Sequence, residues 1–168
     1  MQSKQIRFIT FNAVIAALYA VLTYSSAFFG LAYGEIQFRI SEALNVLCLF
    51  TPAAIPGLVL GCVIGNIPNG IIDVLLGSAA TLIAVTAMYF LRNLKIRKYP
   101  FVAMLMPAAA NGLIVGAEIS FFLPGGTATL MGFLTAGAFV ALGEIAVMFT
   151  LGSMLYFALD KNPRVLGI

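Results

Sequence analysis

Apolar residues run along this chain in long blocks, at about 8–31, 40–51, 54–67, 72–91, 100–122 and 130–158, separated by short polar stretches. About 20 apolar residues are what an α-helix needs to cross a hydrocarbon layer about 30 Å thick, so the longer blocks predict membrane-spanning helices. The second and third blocks are short. They form either one long broken span or a tight hairpin of two, turning at Thr51-Pro52-Ala53-Ala54-Ile55-Pro56-Gly57, and the two prolines favour the turn. The pattern predicts an all-α integral membrane protein built as one domain over 1–168, with six transmembrane helices.

The positive charges support that count. Lys4 and Arg7, the segment Arg92–Lys98 and the tail with Lys161 and Arg164 form three clusters at the ends of apolar blocks. Lys and Arg concentrate on the cytoplasmic side, and six crossings put all three clusters and both termini there. Five crossings separate the second cluster from the first. Eight of the nine basic residues then lie inside, with Arg39 the exception. A net charge of +3 spread over membrane boundaries argues for orientation rather than nucleic-acid binding. Lys4 and Arg7 before an apolar run also suit a cleaved signal peptide, but the run passes Leu22 without a small-x-small cleavage site, which favours a retained first helix.

Composition then sharpens the meaning of each charge, since the chain is 62% hydrophobic and only 9% charged. Glu35, Arg39 and Glu42 form an island between two uncharged stretches, Phe8 to Gly34 and Ala43 to Ile72. With Asp73 they are expected at outer helix ends, where a solute meets the protein. In a helix, Arg39 reaches Glu35 at i−4 or Glu42 at i+3, so a purely structural ion cluster competes with a binding role. Glu118 and Glu144 fall within the fifth and sixth blocks. A charge at mid-bilayer costs about 2.5–3.5 kcal/mol on insertion scales, so each acid is expected to face a polar cavity or to be protonated against a neighbouring helix. Asn111 and Glu118, seven residues apart, share a helix face. Asn69 and Asp73 flank a polar turn with Asn66, Pro68 and Gly70.

Two small-residue stripes predict close helix contacts. Ala13, Ala16, Ala17 and Ala20 lie within one arc of the first helix, suited equally to packing inside the bundle or to a partner. Gly57, Gly61 and Gly65 form a stricter stripe, assigned to internal packing. Cys48 and Cys62 lie in apolar blocks with no His in the chain, which leaves no zinc set and no Cys/His nucleophile, and they are taken as small core residues. No Gly-x-x-x-x-Gly-Lys-Ser/Thr phosphate loop and no nucleophile–base pair is present, so the chain is not expected to be an enzyme, an ATPase, or a holder of metal or cofactor.

Gln37-Phe38-Arg39-Ile40-Ser41-Glu42-Ala43-Leu44, then Thr51-Pro52-Ala53-Ala54-Ile55-Pro56-Gly57-Leu58 and Asp73-Val74-Leu75-Leu76-Gly77-Ser78-Ala79-Ala80-Thr81-Leu82, resemble the QueT family of queuosine-precursor transporters over nearly the whole chain. The first block is the most specific. The resemblance implies the six-helix bundle of an S component, the substrate-binding subunit of an energy-coupling factor importer in the bacterial plasma membrane. It further implies a transmembrane coupling subunit and two cytoplasmic ATPases as partners, with Ala13 and Ala17, or Ala16 and Ala20 in the alternative register, docking on the coupling subunit.

The implied solute is a 7-deazaguanine in its aminomethyl or cyano form, or queuine. A carboxylate can accept from the adjacent N1–H and exocyclic amine of a guanine edge, a role open to Glu118 or Glu144. Asn111, Asn69 or Arg39 can donate to O6, and Tyr33, Phe38, Phe121 or Phe122 can cover the ring. Glu42 and Asp73 suit an aminomethyl cation. The competing expectation is a self-sufficient proton-coupled carrier using Glu144 or Glu118.

Overall fold

A computed structural model describes residues 2–32, 37–123 and 125–162. Five helices in it are long and apolar enough to span a membrane: α1 (Gln2–Phe28), α3 (Pro52–Asn69), α4 (Ile71–Leu91), α5 (Phe101–Phe122) and α6 (Leu130–Lys161). A shorter helical segment, α2 (Ile40–Phe50), precedes α3. The chain is an all-α integral membrane protein. Relative to the sequence pattern, α1 starts earlier, at Gln2, and ends at Phe28, while α6 runs on to Lys161.

Contacts fix the direction of each helix. Thr23 Oγ1 donates to Ser41 Oγ at 2.8 Å, the Ile40 amide to Ser26 Oγ at 3.1 Å and the Tyr19 hydroxyl to Glu42, so α2 descends beside α1. Then α3 climbs back. The Gly57 amide donates to Asn12 Oδ1 at 2.6 Å, and the Tyr24 hydroxyl to the Ile64 carbonyl at 2.6 Å. The second and third apolar blocks are therefore a hairpin. Thr51, extended at φ −147° and ψ 126°, makes its corner, and Pro52 opens the next turn where a missing N–H costs nothing.

Gly57, Gly61 and Gly65 are the surface on which α1 and α3 meet. A Cβ on Gly61 would lie 2.5 Å from Tyr19 Cβ, and one on Gly65 3.1 Å from the Thr23 side chain. The stripe is internal, as its strictness suggested. The same approach divides the alanines of α1: Ala16 and Ala20 are buried, whereas Ala13 and Ala17 face outward. Helices α5 and α6 run antiparallel with a second glycine seam, where a Cβ on Gly116 would lie 2.6 Å from Gly137 Cα.

The alternating directions of the five long helices and the shorter α2 put Lys4, Arg7, the Arg92–Lys98 loop and Lys161 at one end. The larger apolar core, including Tyr19, Val46, Leu58, Met88, Met104 and Met148, fills the bundle, and α2 is enclosed by its neighbours. Toward the opposite end the core narrows to Ala80, Val115 and Val140. Polar side chains gather above it.

Candidate functional site

The end opposite the basic clusters holds a cavity of about 880 Å3 between the start of α4, the outer halves of α5 and α6, and the loop joining them. Gln37, Asn69, Asp73, Glu118, Ser120 and Phe139 are among its walls. Its floor exists because α5 changes its winding. Glu118–Phe122 is a π-helical turn, and Leu123 then turns extended to begin the connection to α6. That connection folds back on the helix: the Ala128 amide donates to the Ser120 carbonyl at 2.9 Å, and Thr129 caps α6 by accepting from the Gly132 amide at 3.1 Å. Thr127 and Thr129 thereby join the wall.

Glu118 is fully buried, and among the described residues neither carboxylate oxygen accepts from an N–H or hydroxyl donor; its side-chain partner is the carboxyl of Asp73. Burying an ionisable group in this way is costly unless something else satisfies it. Asp73, 6% exposed, is its electrostatic neighbour. Asp73 itself is well held, since Asn69 Nδ2 donates to Oδ2, and Arg39 Nη2 lies 3.9 Å from the same oxygen.

Arg39 is buried just before α2, with extended backbone at φ −89° and ψ 104°. Its Nε donates to the Ala32 carbonyl at 3.3 Å and its Nη1 to Asn66 Oδ1 at 2.9 Å. Of the two local partners expected from sequence, the Glu42 alternative is corrected here, because the described salt bridge of Arg39 is to Asp73; Glu35 lies outside the described residues. An i, i+3 pairing requires continuous α-helix, and the segment is extended before a 3-10 turn. Asn66, expected to serve the outer turn, is instead fully buried and links Arg39 to α4 through its bond to the Asp73 carbonyl at 3.3 Å.

The remaining candidates separate from the cavity. Glu42 accepts from the Tyr19 hydroxyl and from Asn45 Nδ2 at 2.5 Å, inside the α1–α2 contact. Asn111 donates to Glu144 Oε1 at 2.6 Å, so that pair bridges α5 and α6 away from the cavity wall. Asn111 and Glu118 share a face but occupy different depths. Phe38 is half-buried and Phe121 and Phe122 are largely exposed, all three outside the wall. Tyr33 and Glu35 lie outside the described residues. Phe139, Gln37 and the threonines went unrecognised in the sequence, because an isolated polar or aromatic position in an apolar helix or short loop has no diagnostic spacing. Among the described residues, no three His, Cys, Asp or Glu side chains gather into a metal site.

Cys48 and Cys62 are both buried. Cys62 also has a polar role, accepting from Thr81 Oγ1 at 3.2 Å and Asn66 Nδ2 at 3.4 Å.

An all-α membrane protein with a ligand-sized, acid-walled cavity at one end is the class these features define. The chain belongs to the QueT transporter family, whose model matches residues 9–161. A curated relative, the "Queuosine precursor transporter QueT" of Lactococcus lactis subsp. cremoris (strain MG1363), is 39% identical over 72 residues, covering 42% of this chain and 43% of that protein. No solved structure matches the chain.

Proposed function

We propose that this chain is the S component of an energy-coupling factor importer, capturing a queuosine precursor of the 7-deazaguanine class outside the cell. Uptake is driven by a transmembrane coupling subunit and two cytoplasmic ATPases. Family membership and the name of the lactococcal relative support transport of this substrate class. The basic end faces the cytoplasm by the positive-inside rule, which opens the cavity to the exterior and leaves both termini inside the bacterial plasma membrane. Ala13 and Ala17, outward on α1, are the surface free for the coupling subunit, since Ala16 and Ala20 are occupied within the bundle.

One observation carries the reading of the site: Glu118 brings to the wall of the cavity a buried carboxyl group that accepts from no described N–H or hydroxyl donor. The N1–H and exocyclic amine of a guanine edge are adjacent donors that match a carboxylate, forming charge-assisted bonds. Gln37, Thr127 or Thr135 can donate to O6, and Phe139 offers a ring face. At about 880 Å3 the cavity falls within the range of about 300–1,000 Å3 usual for small-molecule sites.

The test is binding by the purified protein to a panel of 7-deazaguanines, guanine and unrelated vitamins, repeated with Glu118→Gln. The amide opposes a donor to the donors of the base, so binding should fall by about tenfold or more in a protein that remains folded. Unchanged affinity would move recognition away from Glu118. Vesicles bearing this chain alone should bind the ligand without accumulating it; accumulation that collapses with the proton gradient would establish the carrier reading instead.

A further inference from the structure

Asp73 in the first turn of α4 and Glu118 in the π-helical turn of α5 reach the same cavity wall, and their carboxyl groups are hydrogen-bonded to each other. Both residues are more than nine-tenths buried. An ionised carboxylate only accepts, so a bond between two carboxyl groups holds a proton. The other donors decide which acid carries it. Asp73 Oδ2 accepts from Asn69 Nδ2 and has Arg39 Nη2 3.9 Å away, whereas Glu118 accepts from no described N–H or hydroxyl donor. Glu118 is therefore the donor of the pair and Asp73 its acceptor. The other described wall residues carry no titratable group, which leaves Asp73 and Arg39 as the charged groups acting on Glu118.

The donor edge of a guanine-type base asks for two accepting oxygens at once, and a carboxyl group whose hydrogen is committed to Asp73 offers one. We propose that ligand capture expels this proton. The O–H bond of Glu118 breaks, the proton leaves through the cavity to bulk water, and the carboxylate that remains accepts from N1–H and the exocyclic amine. This rests on the guanine-edge reading above and adds a stoichiometry to it, one proton out for one ligand in. The buried acid keeps a hydrogen against it throughout, because two N–H groups of the base replace the one it gives up. A pH dependence follows by linkage: affinity rises with pH while the empty pair holds its proton, and levels off where the empty pair releases it unaided.

The experiment is calorimetric titration of the full chain in lipid nanodiscs with 7-cyano- and 7-aminomethyl-7-deazaguanine. Pairs of buffers with different ionisation enthalpies, used from about pH 5 to about pH 8, count the protons exchanged on binding. Either ligand that binds should release about one proton on the acidic side of that range, where its affinity should rise about tenfold per pH unit. In Asp73→Asn the amide can donate to an ionised Glu118 in the empty site, so the release should fall to about one third of a proton or less. A count of zero, or uptake, at every pH in wild-type protein that binds overturns the proposal while leaving the guanine-edge reading standing. So does an undiminished release in folded Asp73→Asn. The wild-type count needs no variant, which keeps the proposal testable if Asp73→Asn does not fold. Binding of neither ligand to folded wild-type protein overturns the deazaguanine reading itself, and this inference with it.

Discussion

Arg39 Nη2 lies 3.9 Å from Asp73 Oδ2, tying the chain just before α2 to the first turn of α4. Removing only the cation strands a buried carboxylate, so Arg39→Met should destabilise the protein by about 3–5 kcal/mol. Arg39→Met combined with Asp73→Leu should recover much of that loss, since a buried pair replaced by apolar side chains is often neutral in stability. Thermal unfolding in detergent measures both. The double variant should still bind ligand poorly, which separates folding from recognition.

The two intramembrane acids should respond differently to the same substitution. Glu144 has a described donor in Asn111 and does not line the cavity, so Glu144→Gln should leave deazaguanine affinity within about threefold of wild type. A loss comparable with that of Glu118→Gln would place the base between α5 and α6 at the depth of Asn111.

On α1, neighbouring alanines should give opposite results. Ala16→Trp or Ala20→Trp forces a large ring into the α1–α3 contact and should prevent stable folding. Ala13→Trp or Ala17→Trp points outward and should leave a folded protein with near-normal ligand binding but no uptake by the complete importer. Uptake at the wild-type rate by folded Ala13→Trp and Ala17→Trp proteins would show that this face does not meet the coupling subunit.

The α5–α6 seam is backbone against backbone and cannot yield by turning a side chain. Gly116→Ala, whose new methyl would sit 2.6 Å from Gly137 Cα, should destabilise by about 1–3 kcal/mol in the same unfolding assay.

Sidedness is open to cysteine labelling with a reagent that does not cross the membrane. In a background of Cys48→Ala and Cys62→Ser, the serine keeping an oxygen for Thr81 and Asn66, Gly125→Cys should be labelled in intact cells and Lys95→Cys should not. The reverse pattern would invert the orientation.

The spans were legible in the sequence because a helix crossing lipid must be apolar over most of its length, and the Gly57-Gly61-Gly65 stripe was legible because repeated loss of side chains at helical spacing has few other causes. The alanines were half-legible. Ala13 and Ala16 belong to the same 100° arc, and only the position of α3 decides which of them is covered. For Arg39 local spacing offered Glu42, while the described salt bridge is to Asp73 on another helix altogether. Glu118 stood out as a costly charge, but nothing in the spacing of Asn111 and Glu144 revealed that those two would bond to each other away from the cavity, with Glu118 at its wall.

The enclosure of α2 has a bearing on how the protein is made. Eleven residues carrying Glu42 and Asn45 form a poor stop in a lipid bilayer by themselves, and α2 finds its surroundings in α1 and α6. Tyr19 comes from α1; Gly152, where a Cβ would lie 3.4 Å from Val46 Cγ2, and Tyr156, whose ring centroid lies 5.4 Å from that of Phe50, come from α6. During synthesis the second segment must therefore wait, incompletely housed, until α6 has been translated. Assembly of this region closes when α6 packs against α2, so a chain truncated before α6 leaves the α2–α3 hairpin without one of its walls.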